Sequence, residues 1–295
     1  MKSTLWLSVG STLFLVHRQA YLLLFFLSEI IMATIPSLVQ LSSVEVTKEL
    51  TKKQSRMLEY KVRKYLPRNL KDIVRRQYLL NKQSDCDGNL LSSLIHDRVG
   101  QLDLSDMPCQ NMDFLLLCPL LTKLNLRNAL NNILNEEDSR FKFDFDAIFA
   151  HLPHLQVLFL HFNPDLPDDA LVALSNHNNR RLRELDLEHC SSLTDRGFVH
   201  LKNLKGLKCL NLAFTHLTDF AIGEIFGRAT DMNVTELRLD HCDQITDESI
   251  ETIFQNQKQK LDIFIMHSCP LLTTKSVQAF ESSQNVVKQV TWTIY

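Results

Sequence analysis

Leu185-Asp-Leu-Glu-His-Cys190-Ser-Ser-Leu-Thr-Asp195 returns with few changes as Leu237-Arg-Leu-Asp-His-Cys242-Asp-Gln-Ile-Thr-Asp247. Working outward on the L-x-L core, the same frame appears at Leu102, Leu124, Leu158, Leu185, Leu210, Leu237, Phe264 and Val290. From Leu158 onward the spacings are 27, 25, 27, 27 and 26 residues. Alternation in L-x-L turns both apolar side chains to one face of a short strand. Asn or Cys follows, at Asn163, Cys190, Cys242 and Cys269, and then an apolar residue re-enters the core at Leu193, Leu217, Ile245 and Leu272. The pairs Thr194-Asp195, Thr218-Asp219 and Thr246-Asp247 come next. Their side-chain oxygens suit the free N–H groups of a helix start. Ser249 to Gln255 then carries Ile250, Ile253 and Phe254 at helical spacing.

A strand, a turn and a helix repeated at this period specify a leucine-rich-repeat solenoid, because each unit buries its apolar face only against its neighbours. The expected fold is α/β, with short parallel strands on a concave face, helices on a convex face and a small N-terminal helical cap. Three segments are expected: an apolar extension over 1–31, a helical region over 32–82 and the solenoid over 83–295. Residues 83–98 read as the helical half of an incomplete first repeat. The gap of 34 between Leu124 and Leu158 places an insertion at 128–146, whose Phe-Lys-Phe-Asp-Phe stretch suggests a loose, partly aromatic loop. Val287 to Tyr295 reads as a last strand that closes the C-terminal end.

The chemistry that would make an enzyme is missing from the pattern. Only seven glycines occur in 295 residues, too few for phosphate-cradling loops. No P-loop, G-x-S-x-G or H-E-x-x-H motif is present. A net charge of -2 argues against a nucleic-acid binder. The seven cysteines form no C-x-x-C pair, so free thiols in a reducing compartment are expected. His189-Cys190 and His241-Cys242 resemble metal ligands, but neighbouring residues leaving a strand face opposite sides. The expectation is a non-catalytic protein-binding module with no cofactor, no metal and no small-molecule substrate.

The candidate partner surface is the concave face. The position before each Asn or Cys turn forms a column of Phe162, His189, Phe214 and His241. Beside it run Glu188 and Asp240, and between the leucines run Phe159 and Arg238. Rings on strands spaced ~4.8 Å apart would form a stripe flanked by charges, the usual makings of a binding hot spot. The other reading folds Phe162 and Phe214 back onto the turns as packing.

Residues 45–82 carry twelve basic residues against four acidic ones, a balance of +8. Apolar steps at Leu58, Val62, Tyr65, Leu70, Ile73, Val74 and Leu80 predict helices there. Ser37-Leu38-Val-Gln-Leu41-Ser42 looks like an elongin-binding box, with Ser42 where that box has Cys. Leu66-Pro67-x-x-Leu70-x-x-x-Val74 resembles both a cullin-recognition box and the opening of an F-box, and reads equally as a Pro-initiated capping helix. The candidate adaptor-binding residues are therefore Leu38, Leu66, Pro67, Leu70 and Val74. Thr4 to Val16 and Ala20 to Leu27 are apolar runs too short for a span. They are expected to be a signal or anchor, a buried helix, or sequence upstream of a start at Met32.

Tyr65-Leu-Pro-Arg-Asn-Leu-Lys-Asp72, the turns ending in [IL]-T-D, Ser268-Cys-Pro-Leu-Leu-Thr273 and Lys288-Gln-Val-Thr-Trp-Thr-Ile-Tyr295 together resemble animal homologs of the antagonist of mitotic exit network protein. The resemblance covers residues 35–295 and leaves 1–31 without a counterpart. It implies a cysteine-containing leucine-rich-repeat protein in a cullin-type, SCF-like ubiquitin ligase, acting in cell-cycle control with a Skp-type or elongin adaptor and a substrate protein. A cytoplasmic or nuclear location goes with it; a membrane-associated or secretory one requires residues 1–31. The alternative is a stoichiometric scaffold or inhibitor of a mitotic-exit-type signalling protein. Thr274 departs from the pattern, standing where Asp is usual, which bears only on one helix cap.

Overall fold

The computed structural model describes residues 60, 62–64, 66–80, 88–107, 112–134, 143–178, 180–228, 230–256, 261–282 and 289–293. Leu38, Ser42 and the apolar runs before Met32 lie outside these residues. The chain divides into two compact units, Met1–Leu80 and Asn81–Tyr295. No helix among the described residues is long and apolar enough to cross a membrane.

In the first unit, helix α1 (Arg68–Leu80) starts directly after Pro67, whose carbonyl accepts the Lys71 N–H at 2.9 Å. Proline suits this place because its missing N–H costs a helix start nothing. The buried stripe of α1 is Lys71, Val74, Arg75 and Tyr78. This corrects the apolar face read from sequence: Leu70 and Ile73 are half-buried, and Leu80 is 74% exposed. Long basic stems can lie along apolar surface while their heads find partners. Here Lys71 Nζ donates to the Arg63 carbonyl at 2.9 Å, and Arg75 pairs with Asp72 at 2.7 Å. Burial, with Arg63 and Arg68 adding repulsion, pulls the Lys71 pKa down.

The second unit is the solenoid. Strands β1 (Gln101–Asp103), β2 (Lys123–Asn125), β3 (Val157–Phe159), β4 (Glu184–Asp186), β5 (Cys209–Asn211), β6 (Glu236–Arg238), β7 (Ile263–His267) and β8 (Gln289–Thr293) form one sheet in chain order. Every pairing is parallel, and the register aligns Leu102, Leu124, Leu158, Leu185, Leu210, Leu237, Phe264 and Val290. Through β6 each strand is only three residues long, so the second leucine of L-x-L lies just beyond it. Those leucines (Leu104, Leu126, Leu160, Leu187, Leu212 and Leu239) are nonetheless at most 1% exposed. Burying a leucine contributes roughly 1.5–3 kcal/mol, so two per repeat make this column the main source of stability.

Behind the sheet lie α2 (Gly88–Leu94), α3 (Asn131–Leu134), α4 (Phe145–His151), α5 (Asp168–His177), α6 (Asp195–Phe198), α7 (Asp219–Phe226), α8 (Asp247–Asn256) and α9 (Thr274–Ser282), with 3-10 turns at Asp113–Leu117 and Val199–Asn203. Successive helices pack on one another: α4 on α5, α5 on α6, α7 on α8 and α8 on α9. The insertion is described only over 128–134 and 143–146, and these ends differ from the loose loop expected. It contains α3, and Phe143 and Phe145 are buried with ring centroids 4.5 Å apart. Asp144 caps α4 by accepting the Ala147 N–H at 3.0 Å. The aromatic stretch is thus the entry to a helix.

Two polar ladders tie repeat to repeat. In the turns, Sγ of Cys190, Cys242 and Cys269 donates to the carbonyls of Leu160, Leu212 and Leu239 in the preceding repeat, at 3.3, 3.3 and 3.0 Å. None of these three thiols is in a disulfide. Burial pushes Cys190 up to about 12 and Cys269 up to about 11, so both stay protonated and inert at neutral pH.

The second ladder runs through Thr-Asp. Each Thr caps its own helix, as Thr194, Thr218 and Thr246 accept the N–H of Arg196, Phe220 and Glu248. Each Asp instead serves the following repeat. Asp168 accepts from both N–H and Oγ of Thr194 (2.9 and 2.6 Å), Asp195 from Thr218 (3.0 and 2.5 Å), Asp219 from Thr246 (2.8 and 2.7 Å) and Asp247 from Thr273 (2.9 and 2.6 Å). Ser249 and Ser276 add hydroxyl bonds to Asp219 and Asp247. Burial alone would raise those two carboxyls; the hydrogen bonds from Ser and Thr outweigh it and hold both below the ordinary carboxylate range. This corrects the reading of Thr274. Its helix is capped by Thr273, which accepts the Lys275 N–H. Position 274 corresponds to Asp247, which bonds Thr273 of the next repeat and not its own helix start.

Candidate functional site

The residue that leaves each strand toward its turn sits in the left-handed region: Asp106 (φ 58°), Asn128 (51°), Phe162 (60°), His189 (57°), Phe214 (57°), His241 (54°) and Ser268 (55°). This conformation prolongs the sheet. The N–H groups of Phe162, His189, Phe214 and His241 donate to the carbonyls of Glu188, Ala213, Asp240 and His267 one repeat on, at 2.8, 3.1, 2.7 and 2.7 Å. It also throws the side chain outward. A bulky residue there is strained by roughly 1–2 kcal/mol, so phenylalanine at two of these positions calls for a compensating contact.

The compensation is a continuous stack. Phe162 and His189 centroids lie 4.7 Å apart, His189 and Phe214 4.0 Å, and Phe214 and His241 4.2 Å, with interplanar angles of 23°, 18° and 15°. Such contacts contribute about 0.5–1.5 kcal/mol per pair, enough to offset the backbone strain. The stack stays at the surface: His241 is exposed, Phe162 is 37% exposed, and His189 and Phe214 are half-buried. The alternative, in which the rings fold onto the turns as packing, does not describe this arrangement. The turn interior is taken by Asn163, Cys190, Thr215 and Cys242, all 0% exposed. Asn163 accepts the Leu130 N–H at 2.9 Å and donates to the carbonyls of Leu126 and Leu160 at 2.9 and 2.6 Å.

Phe159 joins the cluster through His161, whose ring lies 6.0 Å from Phe159 and 5.7 Å from Phe162. His161 Nδ1 is 3.6 Å from an Asp186 oxygen. Burial raises the Asp186 carboxyl, against a hydrogen bond from the Glu188 N–H and the pull of His161. Glu188 accepts from Asn211 at 3.0 Å. Arg238 binds Glu236 through Nε and an Nη at 2.9 and 2.8 Å. Asp240 accepts the His267 N–H at 2.9 Å. The structure therefore brings Phe159, Phe162, Glu188, His189, Phe214, Arg238, Asp240 and His241 onto one side of the sheet. No group of three or more metal-ligating side chains occurs among the described residues. His189 and Cys190 diverge, with the thiol inside and the ring in the stack.

Sequence reasoning missed both ends of the stack. At one end the Arg127 guanidinium lies over Phe162, 5.3 Å from its centroid, and pairs with Asp106 at 3.5 Å. At the other, Ser268 occupies the column position after His241. Counting from each L-x-L reaches both positions, since the insertion begins after the turn. In the first unit, Leu66, Pro67 and Leu70 are half-buried and Val74 is 4% exposed.

The family pattern described as Leucine Rich repeat matches residues 178–199 and 230–254. These units are leucine-rich repeats. Among solved structures, internalin C2 of Listeria monocytogenes is similar at 18% identity, TM-score 0.45, over 70% of this chain and 75% of its own. Internalin F of the same organism gives 16% and 0.44, over 71% and 58%. The Rad7 and Elc1 complex from yeast gives 17% and 0.40, over 92% and 72%. Leucine-rich repeats are in general protein-interaction scaffolds, whose extended stacked surface suits a macromolecular partner.

Proposed function

We propose that this chain is the non-catalytic substrate-recognition subunit of a cullin-type ubiquitin ligase. The solenoid holds the protein to be degraded, and residues 32–82 dock on a Skp-type or elongin adaptor. The observation that carries the binding half is the surface stack of Phe162, His189, Phe214 and His241, a strained and exposed aromatic column bordered by Glu188, Arg238 and Asp240. Exposed aromatics ringed by charge are where binding energy concentrates. The adaptor half is supported by the sequence resemblance and by the half-buried Leu66, Pro67 and Leu70 at the start of α1. Action in ubiquitin-dependent degradation and in the cell cycle belongs to the same reading.

Affinity capture of the full chain tests it. A cullin and one adaptor should co-purify, and Leu66→Ala with Pro67→Ala should abolish this while leaving the repeats folded. Capture with neither cullin nor adaptor overturns the proposal. One observation favours a second reading, a stoichiometric scaffold: Val74 faces inward and is not available to an adaptor as the molecule stands. Partner abundance separates the two. A ligase receptor lowers it in a proteasome-dependent way, and a scaffold leaves it unchanged.

A further inference from the structure

The four stacked rings have unequal faces. His189 and Phe214 are covered on both sides by their neighbours. The outer face of Phe162 is covered by the chain's own Arg127, whose guanidinium is tied to Asp106. At the opposite end the next column position is Ser268, with the same left-handed backbone as Phe162 and Phe214 but no ring (φ 55°). One strand spacing is ~4.8 Å, room for a single planar group against His241. A shallow depression of ≈ 380 Å³ on this side of the sheet has Glu188, Asp240, His241 and His267 in its wall.

Charge selects the group. The outward positions of β2 and the turn after it carry Lys123 and Arg127, whereas those of β4 to β6 carry Glu184, Asp186, Glu188, Glu236 and Asp240. The one basic side chain there, Arg238, is already bound to Glu236. Asp240 is the carboxylate next to His241 in the chain, and one of its oxygens is fixed by the His267 N–H. A guanidinium both stacks on a ring and pairs with a carboxylate; an ammonium lacks the plane.

We propose that the His241 end of the stack receives an arginine side chain from a basic segment of the bound protein, its guanidinium lying on His241 and facing Asp240. This rests on the reading that this side of the sheet is the protein-binding surface, and it names the kind of partner. The far site repeats in trans what Arg127 and Asp106 do within the chain. It also sets a direction, with the basic part of the partner over β4 to β6 and its acidic part toward Lys123 and Arg127.

The test uses the full chain and three synthetic probes: acetyl-Gly-Arg-Gly-Arg-Gly-amide and the versions with lysine or glutamate in place of arginine. Binding is followed by calorimetry and by the imidazole signals of His241 and His189. The arginine probe should shift His241 more than His189, the lysine probe should bind about threefold more weakly, and the glutamate probe should not bind. Asp240→Asn should weaken the arginine probe by a similar factor. Ser268→Phe should block it by extending the stack, with circular dichroism showing that the repeats stay folded. Equal binding of lysine and arginine probes, or full binding to both variants, overturns the inference. If the arginine probe binds at His241 but no cullin or adaptor is captured, the ligase reading fails and the inference stands. If a captured partner is lost when the rings are removed yet ignores Asp240→Asn and Ser268→Phe, the binding face stands and the inference falls.

Discussion

The repeats from β3 to β7 and those around β1 and β2 share one leucine column but are joined differently. In the later run, joints carry side-chain hydrogen bonds in the turn and at the helix start: a Cys thiol to the preceding carbonyl, or an Asp to the following Thr. In the earlier run the turn positions hold Met107 and Ala129, which are buried and have no polar group to offer. There the joints rest on apolar burial, backbone bonds, the Thr122 hydroxyl on Gly100 at 2.9 Å and the surface pairing of Asp106 with Asn128 and Arg127 at 3.2 and 3.5 Å. The difference teaches that apolar burial with a few surface polar contacts stacks repeats, and that the recurring ladders fix their rotation relative to one another. The ring stack appears only in the laddered run, where a regular rotation keeps ring planes within 23° of one another.

The sharpest way to break this contrast is at Asn163, which bonds across the junction of the two runs. Asn163→Ala leaves the Leu130 N–H and two carbonyls without their side-chain partner inside the core. It should cost about 3 kcal/mol, read as a lower urea midpoint with an unchanged slope. A loss under 1 kcal/mol would show that the junction is held by burial alone.

Replacing Phe162, Phe214 and His241 together by Ala should remove most partner affinity. The loss of ring contacts should cost about 2 kcal/mol of stability, since relief of strain opposes it. A much larger fall in melting temperature would make the stack core, and unchanged affinity would make it a structural device only.

Asp219→Asn should cost about 1 kcal/mol at neutral pH, as expected for a lost cap. The sign of its pH dependence follows from a lowered carboxyl. The stabilisation is fully present above the unfolded value of about 3.9, and it is lost as pH falls through the lower folded value. Acid titration of the double variant with Asp247→Asn should therefore show a flatter decline below pH ~4 than the parent. Parallel curves would mean that these carboxylates do not hold the ladder.

Thr274→Asp should change stability by less than about 0.5 kcal/mol, because Thr273 already caps this helix. A gain as large as the loss at Asp219 would show a role for Asp at that position within its own repeat.

Much of this was legible in the chain itself. Spacing located the strands, their parallel order, the inward leucines and the ring column, because each follows from one residue's offset from L-x-L. The basic stripe of α1 was not, since the stems of Lys71 and Arg75 behave as apolar surface that hydropathy does not count. The end of the insertion was misjudged because Phe143 and Phe145 look like loop aromatics until Asp144 is seen to cap α4.

The sequence alone determined that apolar side chains recur at a period that a stacked strand-turn-helix buries. The tertiary structure decided which side chain meets which across the joints. That Asp195 serves Thr218 and not its own helix, and that four rings in left-handed turns close into one stack capped by Arg127, depend on the rotation between repeats. That rotation is set by packing between residues more than twenty positions apart, and no local pattern encodes it.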